Sequence, residues 1–159
     1  MTPKLLADAM LGQLARWLRM LGYDTVYMRG ADAKIAHRAR AEDRVLLTRD
    51  HELAKRRGLR TVLIDAQTLE PQLEEVIAAV GPPPSDAPAR CMACNVPLRP
   101  IPKDEARPHV PPYVAQTHER FQRCDQCGKV YWEGSHWHGS ACRSIRARID
   151  EVLNSDATP

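Results

Sequence analysis

Four aspartates stand where short apolar segments meet helical segments, and side chains of this type can bind a divalent cation. Three come just after apolar runs and one opens a helical segment: Asp8 after 4–7, Asp50 after 45–48, Asp65 after 61–64, and Asp32 at the start of 32–43. Carboxylates held close together repel one another unless a cation lies among them. Hard ions such as Mg²⁺ and Mn²⁺ take oxygen ligands, so the four side chains predict a site for such an ion. The alternative is that each aspartate only caps a helix.

The second chemically distinctive group is a set of cysteines in the second half of the chain. Four of the five form two C-x-x-C pairs, Cys91 with Cys94 and Cys124 with Cys127. Two such pairs can supply four thiolates to a tetrahedral Zn²⁺, which leaves no open position for a water. We therefore expect a structural zinc site in a ribbon that needs the metal to fold. The alternative is a redox-active C-x-x-C pair, and Cys142 is expected to be a free thiol.

Apolar periodicity predicts that strands and helices alternate through the first half of the chain. Strands are expected at 4–7, 25–28, 45–48 and 61–64, and helices at 10–21, 32–43, 51–57 and 69–80. This order indicates an α/β fold in which helices cover both faces of a parallel sheet. The carboxyl ends of parallel strands meet at one edge, where ligands bind in such folds. All four aspartates are expected at that edge.

Composition favours a globular protein with a possible preference for phosphate groups. The 159 residues include 23 Lys and Arg and 20 Asp and Glu, a net charge of +3. Residues 16–60 hold 12 of these cations, mostly arginine, and only 6 of the acids. Arginine suits phosphate contacts, and an ordinary solvated surface is the alternative. The motifs G-x-G-x-x-G and G-x-x-x-x-G-K are absent, so neither a dinucleotide nor a P-loop site is indicated.

The proline-rich run PPPSDAP at 82–88 predicts a stiff linker between two parts of the chain. We expect an α/β domain at 1–81, the linker at 82–90, the zinc ribbon at 91–138, and a C-terminal helix and tail at 139–159. A short helix is expected near 114–121. The basic helix at about 141–153 is expected to dock on the protein or to contact RNA. No apolar run approaches the length of a membrane span, and no signal peptide is evident, so a cytoplasmic location without a membrane partner is expected.

The aromatic segment KVYWEGSHWH at 129–138 has two interpretations. Tyr131, Trp132 and Trp137 can stack on nucleic-acid bases or pack the small core of the ribbon, and packing is the favoured interpretation. His136 can contact phosphate or the metal site, or form a local hydrogen bond.

Several longer motifs resemble a known family. DAMLGQLARWLRMLGYD at 8–24, RVLLTRDHELAKRRG at 44–58, the two C-x-x-C pairs and VYWEGSHW at 130–137 are similar to one ribonuclease domain. That domain lies at the C-terminus of the mutator-seven exonuclease and also occurs alone in prokaryotes. The family combines a PIN-type nuclease fold with a C-terminal zinc ribbon. The resemblance covers nearly the whole chain and implies a metal-dependent ribonuclease.

The wider PIN superfamily, which includes VapC-type toxins, implies roles for individual residues. It has an acid after the first strand, here Asp8, another before an I-A-x-x-A helix, here Asp32, and a third in a T-x-D motif, here Asp50. The resemblance implies that these three are catalytic and hold one or two Mg²⁺ or Mn²⁺ ions. Many PIN nucleases carry a further acid on a helix between the first and third. Only Asp24 falls between Asp8 and Asp32 here, and Asp65 is a candidate substitute.

RNA is the substrate that this resemblance implies. Arg16, Arg19 and Arg49 are the expected contacts to its backbone phosphates, and the zinc ribbon is expected to bind RNA, a protein partner or the ribosome. The alternative function is a non-catalytic RNA- or ribosome-binding adaptor with a degenerate PIN core. Metal-dependent cleavage of RNA separates the two.

Overall fold

The chain forms a parallel four-stranded sheet flanked by helices, followed by a smaller antiparallel sheet beside the paired cysteines. The computed structural model describes residues 2–83 and 87–132. In the first half, the strands are β1 (Lys4–Ala7), β2 (Thr25–Tyr27), β3 (Arg44–Thr48) and β4 (Thr61–Leu63), and the helices are α1 (Gly12–Met20), α2 (Asp32–Ala41), α3 (His51–Ala54) and α4 (Leu69–Val80). The α/β fold class expected from the sequence is therefore confirmed.

Three helices differ from the sequence prediction at their ends, and one of them is α2, which was expected to reach 43 but ends at Ala41. The segment expected to be helical from 10 to 21 begins as a 3₁₀ turn at Ala9–Leu11 and continues as α1. The third helix was expected at 51–57, but α3 has a single turn. Beyond it Gly58 has a φ of 75°, a conformation that suits glycine and turns the chain toward β4.

The order of strands in the parallel sheet places a natural binding site beside β1. The order is β2-β1-β3-β4, and every pair of neighbours is parallel. The chain passes from β1 outward to β2 and then back across β1 to β3, so the direction of winding reverses there. In open parallel sheets ligands bind at such a reversal, outside the carboxyl ends of the strands.

The parallel sheet has one apolar core on each face. Leu5, Ala7 and Leu47 pack with α1 and α4 on one face. Leu6 and Leu46 pack with α2 and α3 on the other face. Because the central strands are covered on both sides, their sequences are continuous apolar runs, as expected for a parallel sheet.

The second half contains an antiparallel sheet with two short helices in its longest connection. Its strands, in spatial order, are β5 (Arg99–Ile101), β6 (Phe121–Arg123) and β7 (Val130–Trp132), and the helices α5 (Lys103–Ala106) and α6 (Pro112–Thr117) lie between β5 and β6. The helix expected near 114–121 corresponds to α6 but ends earlier. Phe121 belongs to β6, where its side chain is buried with Ile101 and Val114.

Polar contacts hold the first C-x-x-C segment against the amino edge of the parallel sheet. Arg19 of α1 donates to the carbonyl oxygens of Thr25 and Met92, at 2.8 and 2.5 Å. The Asn95 side chain donates to the Asp24 carboxylate at 2.7 Å and accepts from the backbone N–H of Thr25 at 3.0 Å. The two parts of the chain are thus connected by hydrogen bonds as well as by the linker.

Met20 adds an apolar contact to this junction. Its side chain is buried with Cys91, Leu98, Cys124 and Tyr131. The first half of the protein therefore contributes to the core that surrounds the cysteines. The division of the chain into separate domains stays a prediction.

Some sequence predictions concern residues outside the described ranges. They are His136, Trp137, Cys142, the helix at about 141–153 and the tail at 139–159. Within the described ranges, no helix has the length and apolar character needed to cross a bilayer.

Asp24 carries a charge-dependent part of the stability at the amino edge. Its carboxylate accepts from the guanidinium of Arg44 at 2.9 Å, and the Arg44 side chain is only 8% exposed. Burial by itself raises the pKa of Asp24, but the hydrogen bonds from Arg44 and Asn95 outweigh burial and hold the pKa below its usual value. The ionised form is therefore the one that the fold stabilises.

We predict that Asp24→Asn lowers the free energy of unfolding at neutral pH by about 1–2 kcal/mol, because hydrogen bonds to a charged acceptor are lost. Since folding lowers the pKa of Asp24, its contribution is complete above about pH 4 and is lost as the pH falls through the folded-state pKa. Wild-type protein should therefore lose more stability on acidification than the variant does, as measured by urea unfolding. The control is Asp43→Asn, whose ion pair with Arg60 is exposed and should contribute less than about 1 kcal/mol. Parallel pH curves for wild type and Asp24→Asn would contradict this account.

Candidate functional site

Thr48 links Asp8 and Asp50 at the carboxyl edge of the parallel sheet. Its Oγ1 donates to Oδ2 of Asp8 at 2.6 Å and accepts from the backbone N–H of Asp50 at 3.0 Å. Because the Asp50 N–H can only donate, the hydroxyl proton is directed to Asp8. Thr48 is fully buried, so this bond fixes one oxygen of the Asp8 carboxylate. Oδ1 of Asp8 has no hydrogen bond to the described residues.

Helix capping explains only one of these aspartates. Oδ1 of Asp50 accepts from the backbone N–H groups of Glu52 and Leu53 at 2.8 and 3.3 Å, which confirms that Asp50 caps α3. Asp32 instead lies in the first turn of α2, where the side chains form no capping hydrogen bond. Asp8 precedes the first 3₁₀ turn and does not cap it either. Capping therefore leaves Asp8 and Asp32 unexplained.

The ion pairs divide the aspartates into two groups. In the described ranges, four of them pair with arginine: Asp24 with Arg44, Asp43 with Arg60, Asp104 with Arg107, and Asp125 with Arg99. The four aspartates at the carboxyl edge, Asp8, Asp32, Asp50 and Asp65, form no salt bridge to any described residue. No salt bridge within the described chain therefore neutralises these four carboxylates.

The carboxylates at the edge do not form a closed cage. Among residues 2–83 and 87–132, only the four paired cysteines form a group of three or more acidic, His or Cys side chains with all ligand atoms within 4.8 Å. A cation at the edge would therefore be held by one or two carboxylates, with water or substrate phosphate completing its shell. Mg²⁺ is commonly bound in this way, and the anionic oxygen donors fit Mg²⁺ or Mn²⁺.

The loop after β4 is held by the side chains of Arg49, Gln72 and Glu75, which the sequence reasoning did not predict in this role. The carboxylate of Glu75 accepts from the backbone N–H groups of Asp65 and Ala66, at 3.0 and 2.9 Å. The guanidinium of Arg49 donates to the carbonyl oxygen of Ala66. Asp65 is exposed at this fixed loop. Thr48 was likewise missed as a site residue, although the T-x-D motif contains it.

The three arginines predicted to contact RNA differ in their availability. Arg16 is exposed on α1. Arg19 is bonded to the carbonyl oxygens of Thr25 and Met92, and a contact between Arg19 and RNA would require those bonds to break. Arg49 is bonded to the loop after β4. Of the three, Arg16 is the one whose guanidinium is free of hydrogen bonds within the described chain.

The paired cysteines are positioned to bind zinc. The Sγ atoms of Cys91, Cys94, Cys124 and Cys127 all lie within 4.8 Å of one another. Those of Cys91 and Cys127 are 3.8 Å apart. Zn–S bonds of about 2.3 Å in a tetrahedral site place neighbouring sulfurs about 3.8 Å apart. The donor set and its spacing therefore fit a Zn²⁺ ion.

Both C-x-x-C pairs form turns of the same geometry. The backbone N–H of Asn95 donates to the carbonyl oxygen of Cys91 at 2.9 Å, and that of Gly128 donates to Cys124 at 2.8 Å. Asn95 and Gly128 have φ values of 65° and 79°, a conformation that Gly and Asn adopt more readily than most residues. Gly128 directly follows the second pair and allows this tight turn. Asn95 occupies the equivalent position after the first pair, which the sequence reasoning missed.

Tyr131 lies against the first cysteine. Its hydroxyl is 3.2 Å from Sγ of Cys91 and accepts from the backbone N–H of Met92 at 3.1 Å. Burial raises the pKa of the Cys91 thiol, but hydrogen bonds from Tyr131, Cys94 and Ala93 outweigh burial and lower the pKa to about 7. The thiolate is the form that binds zinc. Because Tyr131 is buried, the packing interpretation is confirmed for this residue.

Comparison with family models agrees with the resemblance inferred from the sequence motifs. The model described as Mut7-C RNAse domain matches residues 3–143. The matched range includes the aspartates of the carboxyl edge and the four paired cysteines. Comparison with curated proteins and with solved structures gives no match.

We predict that Cys124→Ser abolishes stoichiometric zinc binding and unfolds the segment that contains the cysteines, because the metal supplies folding energy to this lobe. The parallel sheet should remain folded, since its two cores lie elsewhere. Metal analysis and near-ultraviolet circular dichroism measure the two effects. The control is Cys142→Ser, which changes the cysteine outside the four-cysteine group and should keep zinc. Stoichiometric zinc in Cys124→Ser would refute the assignment.

Proposed function

The chain belongs to the Mut7-C RNAse domain family, and we propose that it is a Mg²⁺- or Mn²⁺-dependent ribonuclease of PIN type that hydrolyses RNA phosphodiester bonds. The distribution of ion pairs carries this proposal. Asp8, Asp32 and Asp50 form no salt bridge within the described chain, whereas aspartates elsewhere do. Carboxylates concentrated in this way are costly unless a cation neutralises them.

The position of these carboxylates in the sheet supports the same proposal. Asp8 follows β1 and Asp50 follows β3, the two strands that flank the reversal of winding. Asp32 begins the helix that connects β2 to β3. Three consecutive strands of the sheet thus bring one acid each toward the edge where ligands bind in this class of fold.

The site residues in the proposed reaction are metal ligands and one residue that orients a ligand. Asp8, Asp32 and Asp50 would hold one or two divalent ions, and Asp65 is a secondary ligand candidate. Such an ion, when bound, supplies an activated water and stabilises charge on the leaving oxygen. Thr48 orients Asp8 through its hydroxyl, since that bond leaves Oδ1 of Asp8 as the oxygen directed to a ligand. Asp50 keeps one oxygen on the N-terminus of α3 and leaves the other for a ligand.

RNA is the proposed partner, and the zinc ribbon assists in binding it or engages a protein or ribosomal partner. Arg16 is the most available of the arginines that we propose as phosphate contacts, whereas Arg19 and Arg49 are already bonded within the chain. Reduced cysteines that bind zinc suit the cytoplasm, where we place the protein.

One observation favours the adaptor as a second candidate function. In the described chain, no three of the edge carboxylates have oxygen atoms that all lie within 4.8 Å of one another. An edge that has lost tight metal binding could still present its surface to RNA or the ribosome. Metal-dependent cleavage separates this function from that of a nuclease.

We predict that Asp50→Asn loses more than about 100-fold in RNA cleavage rate with Mn²⁺, since changes to residues that merely support a metal ligand already cost about 10–100-fold. Asparagine caps helices as well as aspartate, so α3 should be retained. Without divalent ions the variant should melt at the same temperature as wild type or higher, because one like charge has left the edge. A cleavage time course and melting curves with and without Mn²⁺ provide the measurements.

Asp43→Asn is the matched control, because it makes the same chemical change at an exposed residue before β3, at the opposite edge of the sheet. It should cleave RNA at the wild-type rate. Full activity in Asp50→Asn would remove the nuclease mechanism and favour the adaptor.

A further inference from the structure

The outward face of α2 borders an open groove beside the carboxyl edge. The opposite face of this helix is buried through Ile35, Ala36 and Ala39. The groove has a volume of about 510 Å³, and it is lined by Met28, Ala33, Lys34, His37, Arg38, Ala41 and Glu42. Met28 directly follows β2, so the groove lies between the end of this edge strand and the helix.

The groove combines an apolar floor with a charged rim of Lys34, Arg38 and Glu42, in which two cations and one acid leave a net charge of +1. Met28, Ala33 and Ala41 provide apolar surface, and His37 adds an exposed aromatic ring. Lys34 is exposed and forms no salt bridge with a described residue. Single-stranded nucleic acids are bound by surfaces of this composition, in which bases stack on apolar or aromatic groups and phosphates meet cations.

Arg38 forms an ion pair through Nε, and its two terminal nitrogens can donate hydrogen bonds to a ligand. Its Nε donates to Glu42 on the next turn of α2. Within the described chain its terminal nitrogens donate no hydrogen bond. A guanidinium held in this way is oriented and can still present two nitrogens to a phosphate.

The groove also begins next to the proposed cleavage site. Lys34 lies two residues after Asp32, about 3 Å further along the axis of α2, and Arg38 lies one turn beyond Lys34 on the same face of the helix. Unpaired carboxylates at the edge repel the phosphates of a substrate, and neighbouring cations offset that repulsion. A strand of RNA could thus cross the edge and continue along α2.

We propose that this α2 groove binds a single-stranded segment of RNA adjacent to the phosphate that is cleaved. Lys34 and Arg38 contact phosphates, and a base packs on Ala33, Met28 and His37. The inference rests on the proposed function, because it takes the carboxyl edge as the place of cleavage. The net positive charge of the rim, with Lys34 outside any salt bridge to a described residue, favours RNA as the occupant over an apolar partner or a second copy of this surface.

The test measures affinity separately from cleavage. Fluorescence anisotropy follows binding of a labelled single-stranded oligouridylate to the intact protein without added divalent ions. Lys34→Ala should weaken binding about fivefold at 0.1 M salt and lower the log–log salt slope by about 0.7, the contribution of one phosphate contact to a single strand. Lys4→Ala is the matched control, since Lys4 is an exposed lysine at the amino end of β1, and its affinity should equal that of wild type.

A second variant tests the apolar floor without changing charge. Ala33→Trp should fill the groove and reduce RNA affinity, whereas Ala79→Trp on α4, which packs on the opposite face of the sheet, should not. Melting curves confirm that both variants fold. With Mn²⁺, Lys34→Ala should raise the KM for cleavage and leave kcat unchanged.

Three results would overturn the groove proposal. In the first, wild type does not bind the oligonucleotide. In the second, neither Lys34→Ala nor Ala33→Trp changes the affinity. In the third, sedimentation shows that Lys34→Ala disrupts a dimer. If the two variants weaken binding but wild type does not cleave RNA with Mn²⁺, the groove proposal stands and the nuclease proposal fails.

Discussion

The lack of a salt-bridge partner among the described residues, for four aspartates at one edge of the parallel sheet, is the constraint on which the proposed metal site depends. The protein has enough arginines to neutralise these acids, and it does pair aspartates elsewhere, including Asp24 with Arg44 and Asp43 with Arg60. At the carboxyl edge, Arg49 follows Thr48 directly, yet its guanidinium is bonded to the carbonyl oxygen of Ala66. Within the described chain, Asp8, Asp32, Asp50 and Asp65 thus have no salt-bridge partner. A divalent ion and a bound RNA phosphate would complement each other there, because the ion offsets the charge of both partners.

The two edges of the sheet serve different purposes. At the amino edge, Asp24 bonds with Arg44 and Asn95, and this junction fixes the first C-x-x-C segment against α1 and β2. At the carboxyl edge, the corresponding acids are held only by Thr48 and by the N-terminus of α3. The contacts that stabilise the fold at the amino edge and the proposed ligand site therefore lie at opposite ends of the same strands. The part of the chain that contains the paired cysteines packs on the amino edge of the first half, and Met20 belongs to the shared core.

Local patterns in the sequence were sufficient for the parts of the structure that depend on neighbouring residues. The apolar runs predicted the parallel strands, and the spacing of Cys91, Cys94, Cys124 and Cys127 predicted the four-thiolate group. Contacts between distant residues were not predictable in the same way. Arg19 was expected to face RNA because it lies on a basic helix, but its guanidinium reaches Met92, 73 residues later. The bond from Tyr131 to Cys91 and the strand order likewise depend on how separate elements pack, which no local periodicity encodes.

The most direct test of the central claim is a titration of zinc-loaded protein with Mn²⁺, in which electron paramagnetic resonance reports the free ion. The account predicts that wild type binds one or two Mn²⁺ ions and that Asp32→Asn weakens this binding by at least about tenfold. Asp104→Asn, which removes an exposed, arginine-paired carboxylate from the second half of the chain, should bind Mn²⁺ as wild type does. Equal Mn²⁺ affinity in wild type and Asp32→Asn would contradict the account, because the unpaired carboxylates would then not be the ligands of a metal ion.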